Sequence, residues 1–357
     1  MDRTVDDAAR GDPVSSLREV AAAAGVSRMT VSNVINGRHR KVSQATIDKV
    51  RAAIDELHYV PDAPARSLAA NGSRMIGLVV HHPDERRSLL ENPHDAILVG
   101  AVERAATAAG FSFITDSSAD VVATARALGS WRTDGLIVYG SVADEVNELQ
   151  RTQPRPLVFI DNYSSDAQVT GVGVDDEGGG QLAGEHLLGL RHRQIAFAGP
   201  LGSARGVVAR RLAGLRDAVD AAAGAALGPL LDADHEPGSA ARVVEQLLAA
   251  PEQPTAVVAA SDVLAAEMVG ALLDRGVAVP GQVSLLGFDG VAAGRWIRPQ
   301  LTTISQDIEA KAAAAVELLT RLIDRDPTAE VEPPPRQPMQ LVVRDSTGPA
   351  GAGPAGR

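Results

Sequence analysis

Residues 16–36 read SLREVAAAAGVSRMTVSNVIN, and the stretch carries the start signals of two short helices joined by a tight turn. Ser16, followed three residues later by Glu19, is a capping box. Leu17, Val20, Ala21 and Ala24 then recur at i, i+3, i+4 and i+7, one apolar helix face. Gly25 supplies the backbone freedom of the turn. Ser27 caps a second helix running from Arg28 to Asn36. At about 100° per residue, Val31, Val34 and Ile35 share one side and face the first helix. Met29, Ser32 and Asn33 point the other way, with Arg28 at the leading edge. A methionine on a wet face needs a reason. In a DNA major groove, Arg28 suits guanine O6/N7, Asn33 suits adenine N6/N7, and Met29 suits a thymine methyl. The plain alternative is a small helical hairpin with a stray exposed methionine.

The next segments favour the groove reading. Ser43 opens a third helix, with Ile47, Val50, Ile54 and Leu57 on its buried side. Before it lies RHRK (38–41), a basic loop suited to phosphate. HYVPDAPARSLAANGSR (58–74) follows. Asp62 is placed to cap a helix there, and Pro64 sits in its first turn, where a missing N–H costs little. Too short and alanine-rich to be stable alone, this segment reads as a linker that orders only against a partner.

The pieces LREVAAAAGVS, TVSNVING, KVSQATIDKV, LHYVPDAPARSLA and MIGLVV, spanning Leu17 to Leu78, resemble the head of the lactose-repressor (LacI/GalR) family of bacterial transcription regulators. The resemblance continues over nearly the whole chain. It implies an N-terminal all-α helix–turn–helix head on an α/β body, two-lobed and periplasmic-binding-protein-like, built of parallel sheets. It also implies a homodimer on a pseudo-palindromic operator in double-stranded DNA. Each recognition helix would lie in a major groove. Paired hinge helices would wedge Leu68 into a minor-groove base step, an apolar intercalation that bends the duplex. The DNA contacts expected on this basis are Ser27, Arg28, Met29, Thr30, Ser32, Asn33, Arg38, Arg40, Lys41, Ala65 and Leu68. Two departures stand out. The RHRK loop is one residue longer than in the lactose repressor, and Asp62 stands where asparagine is common.

Charge is distributed to match. Residues 14–74 hold nine Lys/Arg against five Asp/Glu, while the 357-residue chain as a whole is at −11. A positive head on an acidic body fits DNA at one end and no general affinity for polyanions elsewhere. Cysteine is absent, which removes disulfides and thiolate zinc sites; no metal and no cofactor are expected. No early apolar run resembles a signal peptide and no run reaches 18 apolar residues, so the cytoplasm is the expected compartment, without membrane contact. The expected domains are a head at 14–61, a hinge at 62–73 and a body at 74–347. The tails, 1–13 and GPAGAGPAGR at 348–357, lack periodicity and are expected to be disordered.

The body alternates strands and helices. Strand-like runs are 75–80, 111–115, 135–140, 156–161, 195–199, 256–260 and 283–289. Helical patterns lie near 95–109, 178–189, 205–221, 240–250, 262–275 and 307–324. Such alternation means parallel sheets with helices on both faces. The resemblance adds three crossings between lobes, near 174, 305 and 334. The N-lobe is then about 74–173 plus 305–333, and the C-lobe about 174–304 plus 334–347.

Ligands of open α/β sheets bind beyond the carboxyl ends of the strands. Asp161, the pair Ser261–Asp262, Asp289 and the pair His81–His82 stand at such ends, and Arg211 lies in the helix at 205–221. Carboxylates and a guanidinium together suit a polyhydroxyl ligand. Asp262 reads equally as a helix cap, and the histidines read as plain loop residues. The resemblance tips Asp161, Arg211 and Asp289 towards effector contact and adds Gln306 in LTTISQD. Ser261 stands where the lactose repressor has asparagine. The expected effector is a small molecule of the sugar class, with a purine or nucleoside as the alternative. A stand-alone sugar-binding protein would share the body but lack the DNA-reading head.

GGGQLA (178–183) fits a dinucleotide fingerprint. Its place in mid-chain, rather than at a first βα unit, favours a helix start led by Asp175 and Asp176 instead. No G-x-S-x-G, H-E-x-x-H or Walker A motif occurs, so the sequence gives no support to an enzyme.

Overall fold

The computed structural model describes residues 16–35, 37–59, 72–82, 88–140, 143–162, 169–202, 206–233, 238–325 and 331–351. It divides into two compact units, Met1–Arg74 and Met75–Arg357.

The first unit holds α1 (Leu17–Ala23), α2 (Arg28–Ile35) and α3 (Gln44–Glu56). The capping box forms: Ser16 N–H donates to Glu19 Oε2 at 2.7 Å, and Glu19 N–H donates to Ser16 Oγ at 3.4 Å. Gly25 takes φ +67°, a left-handed turn open to glycine at no steric cost. Thr30 N–H donates to the capping hydroxyl of Ser27 at 3.1 Å. Val20, Val31 and Val50 are fully buried among the three helices. RHRK, read from sequence as a loop, instead forms a single 3-10 turn over His39–Lys41, closed by Val42 N–H on the His39 carbonyl.

The second unit contains two sheets. The first has the order β2 (Ser112–Ser118), β1 (Met75–His81), β3 (Gly135–Tyr139), β4 (Leu157–Ile160), β5 (Gly171–Val172), all parallel. The second has the order β11 (Gln340–Val342), β10 (Thr302–Ser305), β9 (Ser284–Asp289), β8 (Ala256–Ala259), β6 (Gln194–Gly199), β7 (Ala226–Asp232). It is parallel except for β11, which runs antiparallel to β10. Helices α4 (Pro93–Ala108), α5 (Val121–Ser130), α6 (Ala143–Thr152), α7 (Asp176–Gly189), α8 (Val207–Asp220), α9 (Ser239–Ala249), α10 (Asp262–Asp274), α11 (Ala293–Trp296) and α12 (Ile308–Asp324) complete it.

The chain passes between the lobes three times. After β5 it enters α7, and Val174 bridges Gln337 of the returning chain. After β10 it returns as α12, whose Ile308, Ala312, Ala315 and Leu319 join the first lobe's core with Ile76 and Leu98. It goes back through 331–337 into β11. The second lobe's core takes Phe197, Leu215, Phe288 and Ile304 on one sheet face, and Val243, Met268 and Leu285 on the other.

The tail expected to begin at 348 is in part held. His192 Nε2 donates to the Gly348 carbonyl at 3.0 Å, and Ala350 N–H donates to the Leu190 carbonyl at 2.8 Å. These bonds dock residues 348–351 on the second lobe, which composition alone does not reveal. Among the described residues no helix is long and apolar enough to cross a membrane.

Candidate functional site

Strand register sets the site. Val80 pairs with Tyr139 and Tyr139 with Ile160, so the following residues, His81, Gly140 and Asp161, stand side by side at the carboxyl edge of the first sheet. In the second sheet Ser305 pairs with Asp289, which puts Gln306 beside the end of β9. Asp161 and Asp289 adopt φ +56° and +107°. Non-glycine residues rarely hold such values, and where they persist the strain is held by the surrounding structure, often at functional sites.

Four of the sequence-expected effector residues are linked by hydrogen bonds. Arg211 Nε donates to Asp176 Oδ1 at 2.7 Å, and its Nη1 donates to the Ala260 carbonyl at 2.6 Å and to Asp289 Oδ1 at 3.3 Å. Gln306 Nε2 donates to Asp289 Oδ1 at 3.0 Å. Lys311 Nζ donates to Gln306 Oε1 at 2.6 Å and to Asp161 Oδ2 at 2.5 Å. The chain of contacts therefore runs from α7 and α8, through the end of β9 and the crossover, to the end of β4 in the other lobe. Burial works against the charge of Arg211, but Asp176 and then Asp289 outweigh it and hold its pKa above the ordinary value. The guanidinium also lies 4.5 Å over the Phe288 ring, an attractive cation–π placement. Beside this set, burial first, and then Asp95, Asp161 and Asp289, push the Tyr139 hydroxyl well above its ordinary pKa.

A cavity of about 470 Å³ opens against the network, walled by Ile97 of α4 with Asp289, Val291, Arg295, Gln306 and Pro338. That is the size of a small-molecule site. Asp161, Arg211 and Lys311 are not part of its wall.

Ser261 and Asp262 do other work. The sequence weighs Asp262 as a cap, yet the cap of α10 is Ser261, whose Oγ accepts from Leu264 N–H at 3.2 Å. Asp262 is fully buried, accepting from Thr303 Oγ1 at 2.5 Å and Val291 N–H at 2.9 Å. Burial first, and then Asp289, raise its carboxyl from 3.8 to about 7; hydrogen bonds from Thr303 and the backbone oppose this. The folded chain therefore keeps a proton that the unfolded chain releases. Its contribution to stability is present below about pH 4 and is lost as pH rises through about 7. The stability advantage of wild type over Asp262→Asn is expected to shrink across that window in urea unfolding at stepped pH. A constant difference would contradict the raised pKa.

The network also contains residues that sequence reading missed. Asp176 was assigned only to the helix dipole. His81, set aside as a loop residue, ends β1 with a buried Nδ1 that has no partner. Lys311 was legible in principle, since it falls with Ile308, Ala312 and Ala315 on the apolar face of α12. The glycines of GGGQLA have a packing role: a Cβ on Gly180 would overlap the Arg211 carbonyl oxygen, and one on Gly214 would overlap that of Glu177. Helices α7 and α8 thus touch backbone to backbone, which brings Asp176 to Arg211.

On the helical unit, Ser27, Arg28 and Met29 are exposed, Met29 at 71%. Thr30, Ser32 and Asn33 are half-buried, and Arg38 and Arg40 are exposed. The side chain of Lys41, and Ala65 and Leu68 of the expected hinge, lie outside the described residues.

Residues 16–62 match the family model of bacterial regulatory proteins of the lacI family, and residues 185–347 match the periplasmic binding protein-like domain. The chain is 34% identical over 334 residues to the HTH-type transcriptional repressor PurR of Escherichia coli, covering 90% of this chain and 95% of that protein. The fold is similar to a lac repressor dimer bound to operator and the anti-inducer ONPF, with a TM-score of 0.83 and 28% identity over 94% of this chain and 100% of that one. It is also similar to the transcriptional regulator CelR in complex with cellobiose, at a TM-score of 0.67 and 30% identity over 93% of this chain and 99% of that one. A helix–turn–helix head joined to a two-lobed body, with relatives aligned along almost its full length, places this chain in the lacI family of bacterial regulatory proteins.

Proposed function

We propose that this protein is a cytoplasmic transcriptional repressor that binds a pseudo-palindromic operator as a homodimer and is controlled by a small-molecule effector of the sugar class. The observation that carries the effector reading is the hydrogen-bonded chain from Arg211 to Asp161, which joins both lobes at the carboxyl edges of their sheets. A ligand entering there changes the bonds that fix one lobe against the other. It biases the body towards one state only by its differential affinity for the two. Bound operator must then alter effector affinity by the same factor. The relative that binds cellobiose supports the sugar class. The role is regulatory rather than catalytic, and the hinge at 62–73, with Leu68 as its wedge, carries the change to the head.

The test is thermal unfolding of the intact chain with mono- and disaccharides, sugar phosphates, nucleosides and purines. A ligand at about 100 times its Kd adds roughly 2.7 kcal/mol. A sugar hit that vanishes in Asp289→Ala supports the reading; a hit confined to purines transfers the effector to that class.

On the DNA side, Arg28→Ala is expected to cost about 1–3 kcal/mol and to relax preference at one position of each half-site. Fluorescence anisotropy on single-base operator variants reads this directly. A loss uniform across sequences would make Arg28 a phosphate contact instead.

A further inference from the structure

Lys311 is a charged residue in an apolar setting. It lies on α12 with no exposed surface, on the face that carries Ile308, Ala312 and Ala315 into the first lobe's core. A lysine there is tolerated only when its charge is paired and hydrogen-bonded. The ammonium has three donors, and two have partners: Asp161 Oδ2 and Gln306 Oε1. The other carboxylate oxygen, Asp161 Oδ1, is buried and has no partner. The pair thus leaves one donor and one acceptor open, within the width of a carboxylate, at the strand edge where the two lobes meet. The linked network also holds three carboxylates, Asp161, Asp176 and Asp289, against two cations, Arg211 and Lys311.

We propose that Lys311 is a specificity-determining residue of the cleft, and that it selects uncharged polyhydroxyl effectors over anionic and cationic ones. This rests on the reading of the cleft as the effector site. A hydroxyl both donates and accepts, so two neighbouring hydroxyls satisfy the open Asp161 oxygen and the third Nζ proton together. A sugar phosphate or sugar acid serves the ammonium alone. It leaves Asp161 Oδ1 unpaired and adds charge to a cluster that is already net negative. A cationic amino sugar serves Asp161 alone and meets the Lys311 charge. Removing that charge opens Asp161 to an amine, so selectivity should turn towards the amino sugar.

Calorimetric titration of the intact protein tests this with glucose, galactose, cellobiose, ribose, glucosamine, glucose 6-phosphate, glucuronate and hypoxanthine. Wild type is expected to bind a neutral sugar best. Lys311→Met is expected to weaken that sugar at least tenfold and to raise the affinity ratio of glucosamine to the neutral sugar. A merely structural role would lower all affinities together and leave the ratio unchanged. Lys311→Gln, which keeps a donor and removes the charge, provides the same comparison if the methionine variant does not fold. A neutral-sugar affinity untouched in the Lys311 variants but lost in Asp289→Ala would overturn the role of Lys311 and leave the cleft reading standing. Best binding by glucose 6-phosphate, glucuronate or hypoxanthine would overturn the ligand class. Absence of binding to wild type across the panel, or binding that survives Asp289→Ala, would remove the cleft reading and the proposal with it.

Discussion

Arg211→Met is expected to destabilise the two-lobed body by about 3–5 kcal/mol, because it leaves buried carboxylates without their partner. Asp176 has no exposed surface and Asp289 is 7% exposed. Asp176 receives Arg211 Nε at 2.7 Å, and methionine returns none of that hydrogen bonding. At about 2–4 °C per kcal/mol for a domain of this order of size, the melting temperature should fall by roughly 10 °C. The effect belongs to the pair, so a second change should recover part of it. Asp176→Leu in the Arg211→Met background removes the orphaned charge, and the double variant should be more stable than Arg211→Met alone. Thermal melts of the four combinations form a double-mutant cycle. Additive losses would show that Arg211 and Asp176 are not energetically coupled. The helix–turn–helix unit is a separate compact unit with its own core, so its helices should survive a melt of the body.

The second large effect is expected at Gly214. Its added Cβ would overlap the Glu177 carbonyl oxygen and close on the Gln181 nitrogen at 2.9 Å. Backbone cannot rotate away as a side-chain tip can, so α7 and α8 must separate. Overpacking of this kind costs about 1–3 kcal/mol and sometimes more, and Gly214→Ala should lie at or above the top of that range. The same separation draws Asp176 from Arg211, so effector affinity should fall with stability. Gly270→Ala is the control. Gly270 lies in mid-helix in α10 with open space around it, and alanine there should stabilise by about 0.4–1 kcal/mol. Urea unfolding separates the two. Equal and small effects at both positions would mean that α7 and α8 do not meet so closely.

Much of this architecture was legible in the residues, for particular reasons. The head declares itself through Ser16, Glu19, Gly25 and Ser27, because caps and turns are local chemistry. Strands β1, β3, β4, β6, β8 and β9 appear as short apolar runs because a parallel sheet covered on both faces needs them. Strand β7 (Ala226–Asp232) escaped because Gly228 and Pro229 interrupt it; as an edge strand it tolerates both. Strand β5 is two residues long, and β10 is a four-residue TTIS whose neighbours, not its own pattern, make it a strand. Asp161, Arg211, Asp289 and Gln306 came from family resemblance, since no local rule tells which strand-end polar group meets another across a cleft. Asp176 and Lys311 completed the network only once the crossing of α12 into the first lobe and the contact of α7 with α8 were known. The docking of 348–351 depended on His192, more than 150 residues away.

Selection of bound sequences from a random duplex pool by the intact protein tests the central claim most directly. The account predicts enrichment of an inverted repeat whose half-sites lose one specified base pair in Arg28→Ala. Binding with no enriched sequence, or enrichment of a single unrepeated site, would contradict it.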